Sequence, residues 1–104
     1  MIYKIQYSPQ AIKDLYKLDK SQQQRVIKAI KKVSMNPLAN NEGGYGKPLG
    51  KKGSTNLTNF LKIKLKKDGI RIVYKLIKIE TIMYILVIGA RSDDEVYILA
   101  DKRK

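Results

Sequence analysis

The chain has 104 residues, with 22 Lys and Arg against 9 Asp and Glu for a formal charge of +13, and 43% of it is apolar. That length bounds it to one domain, residues 1–104, with a modest core, and the apolar share argues against a disordered basic tail. The absence of cysteine excludes a disulfide scaffold or a thiolate metal site, and so large a basic surplus is the footprint of a nucleic-acid binder or of a protein with an acidic partner.

Residues 1–7 lack an apolar signal-peptide core, and the longest greasy run, 81–90, is too short to span a bilayer. A cytosolic protein with no membrane partner is expected. Ile2, Tyr3, Ile5 and Tyr7 predict a short opening strand. Ser8-Pro9 then supplies an N-cap followed by proline at the first helical position, for a helix with Ala11, Ile12, Leu15, Tyr16 and Leu18 at helical spacing. It stops near Asp19-Lys20. Ser21 with Gln24 has the spacing of a capping box and opens a second, antiparallel helix, whose stripe of Val26, Ile27, Ile30 and Val33 ends before Asn36-Pro37. Over 36–59 no periodicity survives; five of the seven glycines fall there, with Lys47, Lys51 and Lys52 among them. A loop of that length in a compact domain is usually functional or mobile. Strands follow at 60–67, 70–79 and 81–89, and Ser92 with Glu95 predicts a cap for a terminal helix, Asp93–Arg103.

The most telling stretch is the hairpin at 60–75. Asp68-Gly69 between alternating apolar runs predicts a two-residue loop, which sets Lys66 opposite Arg71 and Lys62 opposite Lys75. Lys62, Lys64, Lys66, Arg71 and Lys75 then share one face. Like charges directly opposite destabilise a hairpin, so their collection on one face points to a polyanion such as an RNA or DNA backbone. Strand, helix, helix and three strands make an α+β layout, β-α-α-β-β-β with a short C-terminal helix. In it two N-terminal helices cover one face of a small antiparallel-rich sheet through Leu61, Ile63, Leu65, Ile70, Ile72, Tyr74 and Leu76. The other face is expected to stay open and cationic, with Arg91 joining from the end of the last strand.

The strings Phe60-Leu61-Lys62-Ile63-Lys64-Leu65, Asp68-Gly69-Ile70-Arg71-Ile72-Val73-Tyr74, Val87-Ile88-Gly89-Ala90-Arg91 and Glu95-Val96-Tyr97 together resemble the RelE branch of the RelE/ParE toxins of bacterial toxin-antitoxin systems. Tyr7-Ser8-Pro9 with Ala11 and Leu15, and the Leu18-Asp19 turn, are also similar to that superfamily, so the resemblance covers nearly the whole chain. It implies a RelE/ParE-like fold and cleavage of messenger RNA in the ribosomal A site, without metal or other cofactor. The partners implied are the ribosome, through its 16S rRNA and the message, and a cognate antitoxin. Carried over, it implies that Lys62, Lys64, Arg71, Arg91 and Tyr97 form the active site. Lys51, Lys52, Lys66 and Lys75 are the candidate RNA-binding residues around it. The implied transesterification needs a base for the 2′-hydroxyl, cations for the phosphorane and an acid for the departing 5′-oxygen. With no histidine in the chain, Tyr97 is the leading base, because surrounding cations favour a phenolate. Arg71 and Arg91 are assigned mainly to clamping phosphate, and Lys64 is a candidate proton donor. Where relatives join the second helix to the hairpin compactly, this chain follows Leu49-Gly50-Lys51 with a further stretch, 52–59.

Plainer readings stand beside these. Lysines on 62–66 also guard an edge hairpin against strand pairing. Arg71 is within reach of Asp68 for a surface ion pair, and Arg91 of Asp93-Asp94. Tyr97 by pattern alone packs its ring on a core, and Asp93, Asp94 and Glu95 read more simply as a helix cap than as a magnesium site. Tyr45 in the glycine-rich loop is a candidate for base stacking. Three function classes remain: a ribosome-dependent nuclease, a ParE-like inhibitor of DNA gyrase on the same fold, and a non-catalytic basic RNA- or ribosome-binding protein.

Overall fold

The computed structural model describes residues 2–52, 55–90 and 92–104. β1 (Lys4–Tyr7) leads into α1 (Pro9–Tyr16) and α2 (Lys20–Ser34). A 3₁₀ turn at Asn40–Glu42 and three two-residue strands follow, β2 (Lys47–Pro48), β3 (Lys51–Lys52) and β4 (Thr55–Asn56). The long strands β5 (Phe60–Leu65), β6 (Ile70–Ile77) and β7 (Ile82–Gly89) precede α3 (Asp93–Arg103). The main sheet runs β1-β7-β6-β5-β2, with β1 parallel to β7 and every other pair antiparallel, while β3 and β4 pair with each other. The architecture is the expected α+β one.

The helix starts follow from their caps. The Ser8 hydroxyl accepts from the Ala11 amide ahead of Pro9. α2 begins earlier than the Ser21-Gln24 spacing suggests: its N-cap is Asp19, whose carboxylate takes the Gln22 amide at 2.8 Å while the Gln22 side chain returns to the Asp19 amide. Ser21 instead donates its hydroxyl to Asp19. A carboxylate is the better acceptor for the positive end of a helix. α1 ends at Tyr16, and the narrow buried stripe it presents is Ala11 and Leu15, leaving Ile12 and Tyr16 exposed.

The core lies in two layers. On one face Ala11, Leu15, Val26, Ile30 and Val33 from α1 and α2 pack on Leu61, Ile63, Ile70, Ile72, Tyr74, Met83 and Ile85, as the alternation predicts. The other face is not open. There Val96, Tyr97 and Ala100 of α3 bury Val73, Leu86 and Val87, with Leu57 closing the side. At about 1.5–3 kcal/mol for each large apolar side chain removed from water, this second layer is what fastens α3. The helix lies close because Gly89 is bare: a Cβ there would come within 3.0 Å of a Val96 methyl. β7 also carries a bulge, since Val73 pairs with Val87 and Tyr74 with Ile85, so that Leu86 has no partner and turns with Val87 toward α3.

Two further expectations change. The hairpin loop has four residues, 66–69, with Leu65 opposite Ile70. A two-residue type I′ loop needs positive φ at both central residues, and here only Gly69 has it, at 66°. Asp68 is instead drawn sideways to Arg25 of α2, whose guanidinium donates to both of its oxygens. The register shift is by two residues, so every side chain keeps its face; Lys64 now opposes Arg71, Lys62 opposes Val73, and Lys66 lies in the turn. Nor is 36–59 a plain loop: the buried Tyr74 hydroxyl donates to the Pro37 carbonyl at 2.8 Å, and β2 adds an edge to β5.

Candidate active site

Opposed residues of an antiparallel pair share a face, and this puts the cations of three strands together. Lys47 of β2 is opposite Lys62 of β5, Lys64 is opposite Arg71 of β6, and Lys75 is opposite both Phe60 and Tyr84. No Asp or Glu occurs in β2, β5, β6 or β7. The strands themselves therefore contribute only positive charge to this face. Arg71 donates to the Gly69 carbonyl at 2.9 Å, which ties it to the hairpin turn. Lys75 holds its ammonium 5.6 Å from the centre of the Tyr84 ring. Lys62, Lys64, Arg71 and Lys75 are all partly buried.

α3 brings the tyrosine. Tyr97 is buried, with its ring in the second core layer, so the packing reading is correct for the ring. The hydroxyl is engaged as well, for Lys62 Nζ donates to it at 2.8 Å and lies 5.4 Å from the ring centre. Both residues line a recess of about 190 Å³ whose far wall is Leu49, Gly50, Thr55 and Leu57. A lysine amine, a phenol oxygen and an adjoining small polar recess set hydrogen-bond donors and an acceptor side by side. A larger crevice of about 690 Å³, lined by Phe60, Leu76 and Ile77 among others, contains none of the candidate residues.

Of the remaining candidates, Lys66 is exposed in the hairpin turn and Lys51 is exposed on β3, which also contains Lys52. Arg91 lies outside the described residues; in sequence it follows Gly89 by two. The suggested pairing of Arg71 with Asp68 gives way to the Arg25 pair, at 2.6 Å. Ser92 caps α3 by accepting from the Glu95 amide, and Asp94 and Glu95 are exposed, as a plain helix start requires. Tyr45 is exposed beside Lys32, whose ammonium stands 6.0 Å from its ring.

Sequence reasoning missed Lys47 as a member of the cationic face and Leu49, Thr55 and Leu57 as the wall of the recess. Their signal was faint: one lysine, one threonine and isolated leucines in a stretch without periodicity. Among the described residues, no helix is long and apolar enough to cross a membrane.

The ParE toxin family of type II toxin-antitoxin systems, parDE, matches residues 5–95. A RelE-like toxin protein of Escherichia coli is 32% identical over 103 residues, covering 99% of this chain and 98% of that one. The mRNA interferase toxin RelE of Escherichia coli K12 is 27% identical with the same coverage. A double arginine-to-alanine variant of Escherichia coli toxin RelE, solved in the free state, superposes with a TM-score of 0.75 at 25% identity, covering 99% of this chain and 98% of that one. The same variant bound to a RelB antitoxin peptide gives 0.69 at 25% identity, with 100% and 99% covered. With a family match across most of its length and a relative above 30% identity over nearly all of it, the chain belongs to the RelE/ParE superfamily of type II toxin-antitoxin toxins.

Proposed function

We propose that the protein is an endoribonuclease that cuts messenger RNA in the ribosomal A site. The observation that carries this reading is the hydrogen bond from Lys62 to the Tyr97 hydroxyl, at the edge of a face to which the strands bring only basic charge. Gyrase inhibition or simple RNA binding has no need of a phenol held there. In the proposed reaction the 2′-oxygen of the message attacks the adjacent phosphorus and its proton passes to the phenolate form of Tyr97, which becomes the phenol. The bond to the 5′-oxygen breaks, leaving a 2′,3′-cyclic phosphate and a 5′-hydroxyl. Arg71, Arg91 and Lys62 offset charge on the phosphorane oxygens, and Lys64 protonates the leaving oxygen. The site is incomplete as a catalyst for free RNA. Alignment by the ribosome supplies the rest, since orientation alone is worth about 7–11 kcal/mol of barrier. Lys47, Lys51, Lys52, Lys66 and Lys75 hold backbone phosphates around the cut.

Such a toxin works in the cytosol, where ribosomes are, and is silenced by an antitoxin that covers the cationic face. The antitoxin-bound relative supports a partner of that kind. The ParE family match favours one competing reading, inhibition of DNA gyrase without RNA cleavage.

Primer extension on message in a purified translation system separates them. Wild type should give ribosome-dependent cuts within A-site codons, and Tyr97→Phe, which keeps ring and charge, should lower the rate roughly 10²-fold or more. Intact message with the wild-type chain would sink the nuclease and turn attention to a gyrase supercoiling assay.

A further inference from the structure

Tyr97 meets Lys62 only while α3 lies on the sheet, and at its far end that helix is held to β4 by contacts of Asp101 and Lys104 with the Asn56 backbone and to α1 by one buried side-chain pair. β1 stops at Tyr7, whose partner is Ile85, so beyond that point β7 has no strand on its outer side. Asp14 of α1 and Arg103 of α3 meet around this edge. One terminal nitrogen of Arg103 donates to Asp14 Oδ2 at 2.6 Å and to the Leu86 carbonyl at 3.1 Å, and the other donates to Asp14 Oδ1 at 3.1 Å. Asp14 Oδ2 also accepts the Ile88 amide at 3.0 Å. The two side chains are only 15% and 10% exposed.

Such a pair does what a neighbouring strand otherwise would. It satisfies the Ile88 amide, and at the bulge it gives the Leu86 carbonyl a second donor beside the Ser8 hydroxyl, which stands at 3.4 Å. It also joins helices from opposite faces, since α1 packs in one core layer and α3 in the other. A guanidinium is the side chain able to make these three contacts in one plane.

We propose that Asp14 and Arg103 are positioning residues of the active site. They form a clasp around the β7 edge that keeps α3 docked and thereby sets the Tyr97 hydroxyl on Lys62. Arg103 is six residues past Tyr97, about 9 Å along the helix axis, so it acts at a distance and touches no reacting atom. The catalytic part of this proposal rests on the nuclease reading; the clasp itself does not.

The test uses the full chain with Asp14→Asn, Arg103→Gln and the double variant, followed by amide hydrogen exchange and by single-turnover cleavage on programmed ribosomes. Each single variant is expected to speed exchange at residues 96–103 at least tenfold while α2 and β5 stay as in wild type. The saturating cleavage rate is expected to fall ten- to a hundredfold with the half-saturating concentration unchanged. The double variant should be no worse than the worse single one, because both remove one contact. Unchanged exchange at 96–103, or protection lost evenly over the chain, overturns the clasp. Faster exchange with a wild-type rate overturns the positioning role. Asp14→Asn keeps an oxygen for the Ile88 amide, so it decides the matter if Arg103→Gln does not fold. If wild type cuts nothing, the nuclease reading fails separately, and exchange still decides the clasp.

Discussion

Asp68 is placed in the hairpin turn by its sequence and then held there by a residue 43 positions away. Both of its oxygens accept from Arg25, and that hydrogen bond is the main reason its carboxyl titrates below the ordinary carboxylate range. The Gln22 amide, and then the Ser21 hydroxyl, lower that of Asp19 in the same direction. A folded value below the unfolded one means that the stabilisation is fully present above the unfolded value near ~4 and is lost as pH falls through the folded one. Asp68→Asn should therefore flatten the loss of stability below about pH 4; urea midpoints taken at a series of acidic pH values that decline in parallel for variant and wild type would count against this. The cationic face was legible residue by residue. Lys62, Lys64, Arg71 and Lys75 alternate with apolar neighbours, and parity protected the inference even though the register was off by two. The hydroxyl contact of Tyr97 was not legible without the family resemblance, because the pattern around it marks only a packed ring. Nor was the Asp14–Arg103 pair, which spans 89 positions with nothing in either local sequence to single it out.

At the scale of elements, the two hairpins of the sheet turn in the same way. Residues 66–69 and 78–81 each form a four-residue loop in which the last amide returns to the first carbonyl, at 3.4 Å in one and 3.2 Å in the other. The last residue is left-handed in both: Gly69 at φ 66° and Thr81 at φ 56°. Glycine adopts that conformation without strain, whereas a β-branched residue there is a true outlier. Thr81→Gly is thus expected to stabilise the protein by about 1 kcal/mol, and Gly69→Ala to destabilise it by about 1–2 kcal/mol although nothing lies within reach of the new methyl. Urea unfolding of both variants checks the pair, and shifts of the same sign would refute the shared geometry. The elements themselves were largely readable from periodicity and caps. What escaped was the covering of the second face, since the apolar residues of α3 form one unbroken run, 96–100, with no helical spacing to announce a buried stripe. The short strands in 47–56 escaped too, because two-residue pairings leave no alternation to read.

For the whole molecule, a formal charge of +13 makes any nucleic-acid affinity strongly dependent on salt. Lys47 offers a clean probe, being exposed and opposite Lys62 at the sheet edge. Lys47→Gln should leave stability unchanged and reduce the slope of log affinity against log salt for single-stranded RNA by about 0.7, one phosphate contact. An unchanged slope would remove Lys47 from the binding face. The parallel pairing of β1 with β7 has a consequence of another kind. Lys4 finds its partner only at Ile82, so this pairing is non-local and the first strand waits for more than three quarters of the chain. Translation runs from the N-terminus, so the lysine-bearing hairpin emerges before Tyr97 does. On the proposed nuclease reading a nascent copy therefore has no finished site, and the interval after β5 and β6 emerge is one in which another protein can meet the basic strands before α3 arrives.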